Sequence, residues 1–70
     1  MDMQPVVSSN LASVGYDPAM GVLRIQFLNG RICEYLDVPR NVDEGLMNAR
    51  FEGLYFYRVV RFEYRFRQGQ

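Results

Sequence analysis

The sequence predicts a small α+β domain, an antiparallel sheet packed with two short helices. Three observations carry that expectation. Val22 to Leu28 alternates apolar and polar side chains, the period of a half-buried strand. Asn29-Gly30 follows directly, the strongest short hairpin signal, and Arg31 to Asp37 runs back as the partner strand. Beyond Val38-Pro39 the alternation gives way to apolar residues at helical spacing.

Met1 to Pro5 carries little apolar surface and is expected to be a flexible tail ahead of one domain over 6–67, with 68–70 trailing it. Leu11, Val14 and Tyr16 are the anchors of an N-terminal strand. Asp17-Pro18 with Gly21 supplies turn chemistry. The hairpin 22–28/31–37 takes its register from charge. A two-residue loop pairs Ile25 with Glu34 and strands a carboxylate on the apolar face. A three-residue loop, Leu28-Asn29-Gly30 with Gly30 left-handed, pairs Arg24 with Glu34 and puts Leu23, Ile25 and Phe27 beside Cys33 and Tyr35. Facing opposite charges contribute roughly 0.2–1 kcal/mol, and burying an unpaired carboxylate costs several times that, so the second register is expected.

Pro39 cannot donate to a continuing ladder and closes the hairpin. A first helix over about 42–51 follows, with Asn41 as N-cap, Glu44 completing a capping-box pair, and Val42, Leu46 and Ala49 as its apolar stripe. Gly53 stands where it should stop. Gly45 weakens this helix by about 1 kcal/mol relative to alanine, so tertiary packing must hold it. A second helix is expected over about 54–62, from the spacing of Phe56, Val59 and Val60. From Arg61 to Arg67 strict alternation reads as strand, so the helix is expected to be followed by an extended segment that returns along the sheet, with 61–67 left open between helix and strand. No internal repeat is read in the chain.

Composition narrows the function. Seventy residues without histidine lack the usual general base and the commonest metal ligand. Cys33 is the one cysteine, so no internal disulfide forms and a reducing cytoplasm is the expected location. The opening residues lack the pattern of a signal peptide, and no run approaches the roughly 20 apolar residues of a membrane span. No constellation suggests nucleophilic catalysis, a metal cage or a phosphate loop, so a non-enzymatic protein without a cofactor is expected.

Several motifs together resemble one family. Val7-Ser8-Ser9-Asn10-Leu11, Val14-Gly15-Tyr16-Asp17, Leu23-x-Ile25-x-Phe27-x-Asn29-Gly30 and Glu34-Tyr35-x-x-Val38-Pro39 resemble the KTSC domain in order and spacing. So do Leu46-x-x-Ala49, Gly53-x-Tyr55-Phe56 and Val60-Arg61-x-x-Tyr64. That family, named for its place at the C-terminus of some lysyl-tRNA synthetases, also occurs as free-standing bacterial and phage proteins. The resemblance implies a small α+β domain and, through the synthetase context, contact with RNA. Three positions depart from its pattern. Cys33 replaces the first tyrosine of a central pair, Phe51 a serine, and Tyr57 an asparagine.

The C-terminal third carries the functional signal. Seven of the ten aromatic residues fall between 51 and 66, and residues 50–70 hold five arginines against two acids. Arginine interleaved with aromatic rings suits single-stranded nucleic acid, guanidinium for phosphate and rings for bases. Arg61 and Arg65, four apart, share a side in either period; Arg58 joins them in a helix and Arg67 in a strand. The expected binding residues are therefore Arg58, Arg61, Arg65 and Arg67 with Tyr57 and Tyr64. Phe56, Val59, Val60 and Phe62 are assigned to the core, leaving Tyr55, Tyr57, Tyr64 and Phe66 as the exposed rings. The leading expectation is RNA or single-stranded nucleic acid. The alternative is a protein–protein module, for which arginine and tyrosine are equally suited and zero net charge is favourable, including a phage or mobile-element factor that binds a host protein.

Overall fold

The computed structural model describes residues 1–68. Five strands form one antiparallel sheet in chain order: β1 Met3–Pro5, β2 Leu11–Asp17, β3 Val22–Phe27, β4 Ile32–Tyr35 and β5 Phe66–Gln68. The helical residues lie between β4 and β5 and cover one face. They comprise α1 Arg40–Met47, α2 Glu52–Tyr55 and a π-helical segment, Phe56–Val60, that continues α2.

The hairpin follows the charge-based register. Arg24 pairs with Glu34, Ile25 with Cys33 and Leu23 with Tyr35. Gly30 has φ +90°, a conformation that side chains with a Cβ rarely adopt, and its N–H donates to the Phe27 carbonyl at 2.9 Å. The strands themselves stop at Phe27 and Tyr35, short of the expected 28 and 37. The core lies where this sheet meets the helices: Leu11, Val14, Leu23, Ile25 and Tyr35 from strands, Val42, Leu46, Phe56 and Val60 from helices. The Phe56 ring makes edge-to-face contacts with Phe27 and Tyr35 at 5.6 and 5.5 Å.

Four expectations about boundaries are corrected. The N-terminal residues are not a free tail, because Met3–Pro5 pairs with Ser13–Gly15 as an edge strand. Gly15 explains this: a Cβ there would lie 2.5 Å from the Met3 sulfur and 3.0 Å from the Asp2 carbonyl, so only its absence lets the segment cross. Gln68 belongs to β5 rather than to a tail; 69 and 70 lie outside the described residues. The first helix spans 40–47 rather than 42–51. Its N-cap is Pro39, whose carbonyl accepts from Val42 N–H at 3.0 Å, and Asn41 makes no capping bond. Asn48 ends it by donating its side-chain amide to the Glu44 carbonyl at 2.8 Å. The second helix starts at Glu52, so Gly53 lies inside it, and its regular part ends at Val60.

Gly45 has a tertiary reason. A Cβ there would fall 2.7 Å from Tyr55 Cζ and closer still to the hydroxyl, so the tyrosine ring lies directly on the helix backbone. The glycine that weakens α1 as a helix lets α2 dock against it.

Candidate interaction surface

The surface that gathers the chemistry-bearing residues is built by a change of helical pitch. Arg61 N–H donates to the Phe56 carbonyl at 3.0 Å, a bond spanning five residues instead of four. Phe56 and Val60 point into the core. Leu54, Tyr57, Arg58 and Arg61, at i, i+3, i+4 and i+7, occupy the opposite, exposed side. The wider turn also brings Tyr57 and Phe62, five apart, into edge-to-face contact at 5.6 Å. The Arg61 guanidinium lies over both rings, 5.5 Å from Tyr57 and 5.2 Å from Phe62. Exposure is high along the whole stripe: 65% for Phe51, 48% for Leu54, 51% for Tyr57 and 72% for Phe62.

Beside the stripe, a groove of about 490 Å³ opens toward the sheet edge, lined among others by Phe27, Arg31, Cys33, Tyr35, Arg61 and Phe66. The exposed Phe66 ring packs on Tyr35 at 5.5 Å. Burial pushes the Tyr35 phenol up, Cys33 adds to the shift and Arg61 opposes it. Cys33 is half-buried, a small apolar filler at the groove floor.

Of the six residues expected to bind, Tyr57, Arg58 and Arg61 come together. Arg65 does not join them. The turn over 61–64 interrupts both periods on which a shared face depended, and the Arg65 carbonyl accepts from Leu36 N–H at 2.8 Å as the chain enters β5. Arg67 lies on the other face of the sheet and donates from Nε to Glu34 Oε1 at 2.7 Å. Arg24 Nε donates to Glu34 Oε2 at 2.8 Å. Held between Arg24 and Arg67, the buried Glu34 carboxyl has its pKa lowered below its ordinary value. Tyr64 is half-buried against the core, as is Tyr55.

Phe62 reverses its expected role: assigned to the core, it is the most exposed ring. Phe51 was likewise absent from the expected surface. A signal existed in the chain, since the triplet Arg-Phe-Glu occurs twice, at 50–52 and at 61–63. In each copy the guanidinium lies over the adjacent phenylalanine, at 5.9 Å for Arg50 and 5.2 Å for Arg61. Three residues are too short to register as a repeat until the structure shows the same guanidinium-over-ring contact in both. Among the described residues, no group of three or more histidine, cysteine or acidic side chains is placed to hold a metal ion. Among the same described residues, no helix is long and apolar enough to cross a membrane.

These features define a small two-layer α+β domain, a five-stranded meander with helices on one face and an arginine–aromatic surface on their outer side. Residues 7–64 match the KTSC domain, and the chain belongs to that family. A KTSC domain protein from Yersinia pestis has a similar crystal structure, with a TM-score of 0.90 and 37% identity over 96% of this chain and 94% of that one. A protein from Tsukamurella paurometabola is 36% identical over 63 residues, 90% of this chain and 94% of the relative. A lysine–tRNA ligase from Nostoc is 36% identical over 53 residues, which are 76% of this chain and 9% of the ligase.

Proposed function

We propose that this chain is a non-enzymatic binding module that docks another protein through the exposed face of its second helical segment, without cofactor or metal. The observation that supports it is the continuous stripe Phe51, Leu54, Tyr57 and Phe62, four large apolar side chains each about half exposed or more. Contiguous apolar surface of this kind marks docking sites, and aromatic residues with arginine are the usual energetic anchors. Two departures from the family pattern, Phe51 and Tyr57, fall on this stripe, so polar positions have been exchanged for apolar ones. A phosphate backbone finds little here. Arg24 and Arg67 are held by Glu34 and Arg65 lies apart, leaving Arg31, Arg50, Arg58 and Arg61 near the rings with Glu52 and Glu63 close in the chain. The single unpaired cysteine fits a reducing cytoplasm as the place of work.

RNA is the second reading, favoured by the similarity to part of a lysine–tRNA ligase and by the groove that Arg31, Arg61 and Phe66 line together. One experiment separates the two. A photo-crosslinking phenylalanine is placed at Tyr57 in the cells that make the protein. Protein adducts that disappear with Phe62→Ser are the expected result. Adducts to RNA would overturn the protein reading in favour of the second.

A further inference from the structure

We propose that the groove beside the stripe is a binding site for a small phosphate monoester that carries an aromatic ring, a function separate from the docking of protein. Arg31, Arg61 and the Tyr35 hydroxyl hold the phosphate, and the Phe62 and Phe66 rings take the aromatic body.

Tyr35 is the first pointer to a ligand. The residue is only 4% exposed, its ring is held by Phe56 and Phe66, and among the described residues no hydrogen bond reaches its hydroxyl. No side-chain oxygen that is itself sealed from solvent lacks a partner among them, so the hydroxyl opens into the groove that Tyr35 lines. Polar groups on buried side chains are ordinarily bonded within the protein, and this one is left for what the groove holds. Burial pushes the phenol up, so at neutral pH it keeps its proton for donation.

Four further groups of the groove are donors. Asn29 Oδ1 accepts from the Arg31 N–H at 3.0 Å. Ser8 Oγ accepts from the N–H groups of Asn10 and Leu11, both at 3.3 Å, so its own proton goes to Asn10 Oδ1 at 3.1 Å. Both carboxamide oxygens are thus engaged, and both NH2 groups remain to donate. Arg31 and Arg61 are the other two. Among the described residues neither enters an ion pair, in contrast to Arg24 and Arg67. No acidic side chain lines the groove among those residues, in a chain whose arginines and acids are equal in number. So dense a set of donors selects an anion. Two cations match the dianion of a phosphate monoester, whereas a carboxylate would leave one of them unmatched.

The apolar part of the lining selects a ring. Phe62 and Phe66 are 72% and 57% exposed and offer aromatic surface for stacking. The Arg61 guanidinium, stacked on Phe62, keeps its N–H edge for phosphate oxygens. A volume of about 490 Å³ is that of a small-ligand site. A single phosphate needs only these few donors, whereas a nucleic-acid backbone needs a row of cations.

An NMR titration of the purified chain with phenyl phosphate and with adenosine monophosphate tests this, up to about 10 mM because so small a ligand binds weakly. One probe carries its ring directly on the phosphate and the other through a sugar, so the tighter of them names the source. Binding of at least one, with saturating shifts of the Asn10 and Asn29 side-chain amides, is the expected result. Tyr35→Phe removes the hydroxyl alone and should weaken binding about fivefold or more, with the melting temperature unchanged or raised. Arg31→Gln should weaken it about tenfold or more. Arg40→Gln, the same loss of charge outside the groove, should change it by less than about twofold. Binding of neither probe would overturn the proposal, as would equal affinity for inorganic phosphate, which has no ring, or for benzyl alcohol, which has no charge. Native affinity in Tyr35→Phe or Arg31→Gln, or equal weakening by Arg40→Gln, would do the same. A single-stranded RNA without a terminal phosphate that bound the groove more tightly than either probe would replace the small ligand with the RNA reading.

Discussion

Replacing Gly45 with alanine sets two effects of opposite sign against each other, and the structure decides between them. As a helix substitution Gly45→Ala should stabilise α1 by about 1 kcal/mol. The added methyl, however, would lie 2.7 Å from Tyr55 Cζ. Ordinary carbon contacts fall at about 3.5–4.0 Å, so the ring must withdraw by about 1 Å. The ring packs against the core from α2, and α2 continues into the segment that buries Phe56 and Val60, so the shift spreads into the packed layer. Overpacking of this kind costs about 1–3 kcal/mol, which leaves a net destabilisation of about 1 kcal/mol. For a domain of this size that lowers the melting temperature by about 4–8 °C. In a Tyr55→Leu background the obstacle is gone, and the same alanine should stabilise by up to about 1 kcal/mol. Urea denaturation of the four proteins of this cycle, analysed by linear extrapolation, reads both signs. If Gly45→Ala raised the midpoint of the otherwise native chain, the close docking of Tyr55 on α1 would be refuted.

Three further outcomes are expected. Gly30→Ala should destabilise by about 1 kcal/mol through backbone conformation alone, because φ is +90° and no atom lies within 4 Å of an added Cβ; a neutral result in the same denaturation assay would contradict the left-handed turn. Phe62→Ser should change stability by no more than about 0.5 kcal/mol whereas Phe56→Ala should cost about 3–5, and equal losses would show that Phe62 is core after all. Glu34 has its pKa lowered by the hydrogen bonds from Arg24 and then Arg67, so its contribution is full above the ordinary carboxyl value of 4.5 and is lost as pH falls through the depressed folded value. Asp43, pushed up by burial, contributes a slope of opposite sign, so the readout is the difference between melting curves of the native chain and Glu34→Gln, which should narrow on acidification and would stay constant if the ion-pair triad were absent.

What the sequence determined by itself was local. The hairpin register followed from residues ten positions apart, because only one alignment keeps Glu34 off the apolar face and gives it Arg24. Gly30 was marked by its neighbour Asn29, and the family by motifs spread along most of the chain. The exposed surface was only half legible. Tyr57, Arg58 and Arg61 are close in sequence and follow helical spacing, so they were found. Phe62 was misassigned because a phenylalanine in a small domain without tryptophan is a natural core residue, and no periodicity announces a π-turn followed by a change of direction. Arg67 was drawn into the same surface by its spacing from Arg65, although its partner Glu34 lies 33 residues away. That contact exists only because β5 returns to the edge of β4. Likewise, nothing beside Gly15 in the chain reveals that Met3 crosses it, and nothing beside Gly45 reveals the tyrosine ring that rests on it. Spacing and charge act between neighbours and are written in the order of residues. The alternation after Arg61 announced a segment returning along the sheet, but which edge it takes, and which ring is left outside, depends on how the whole core fills, and only the tertiary structure decides that.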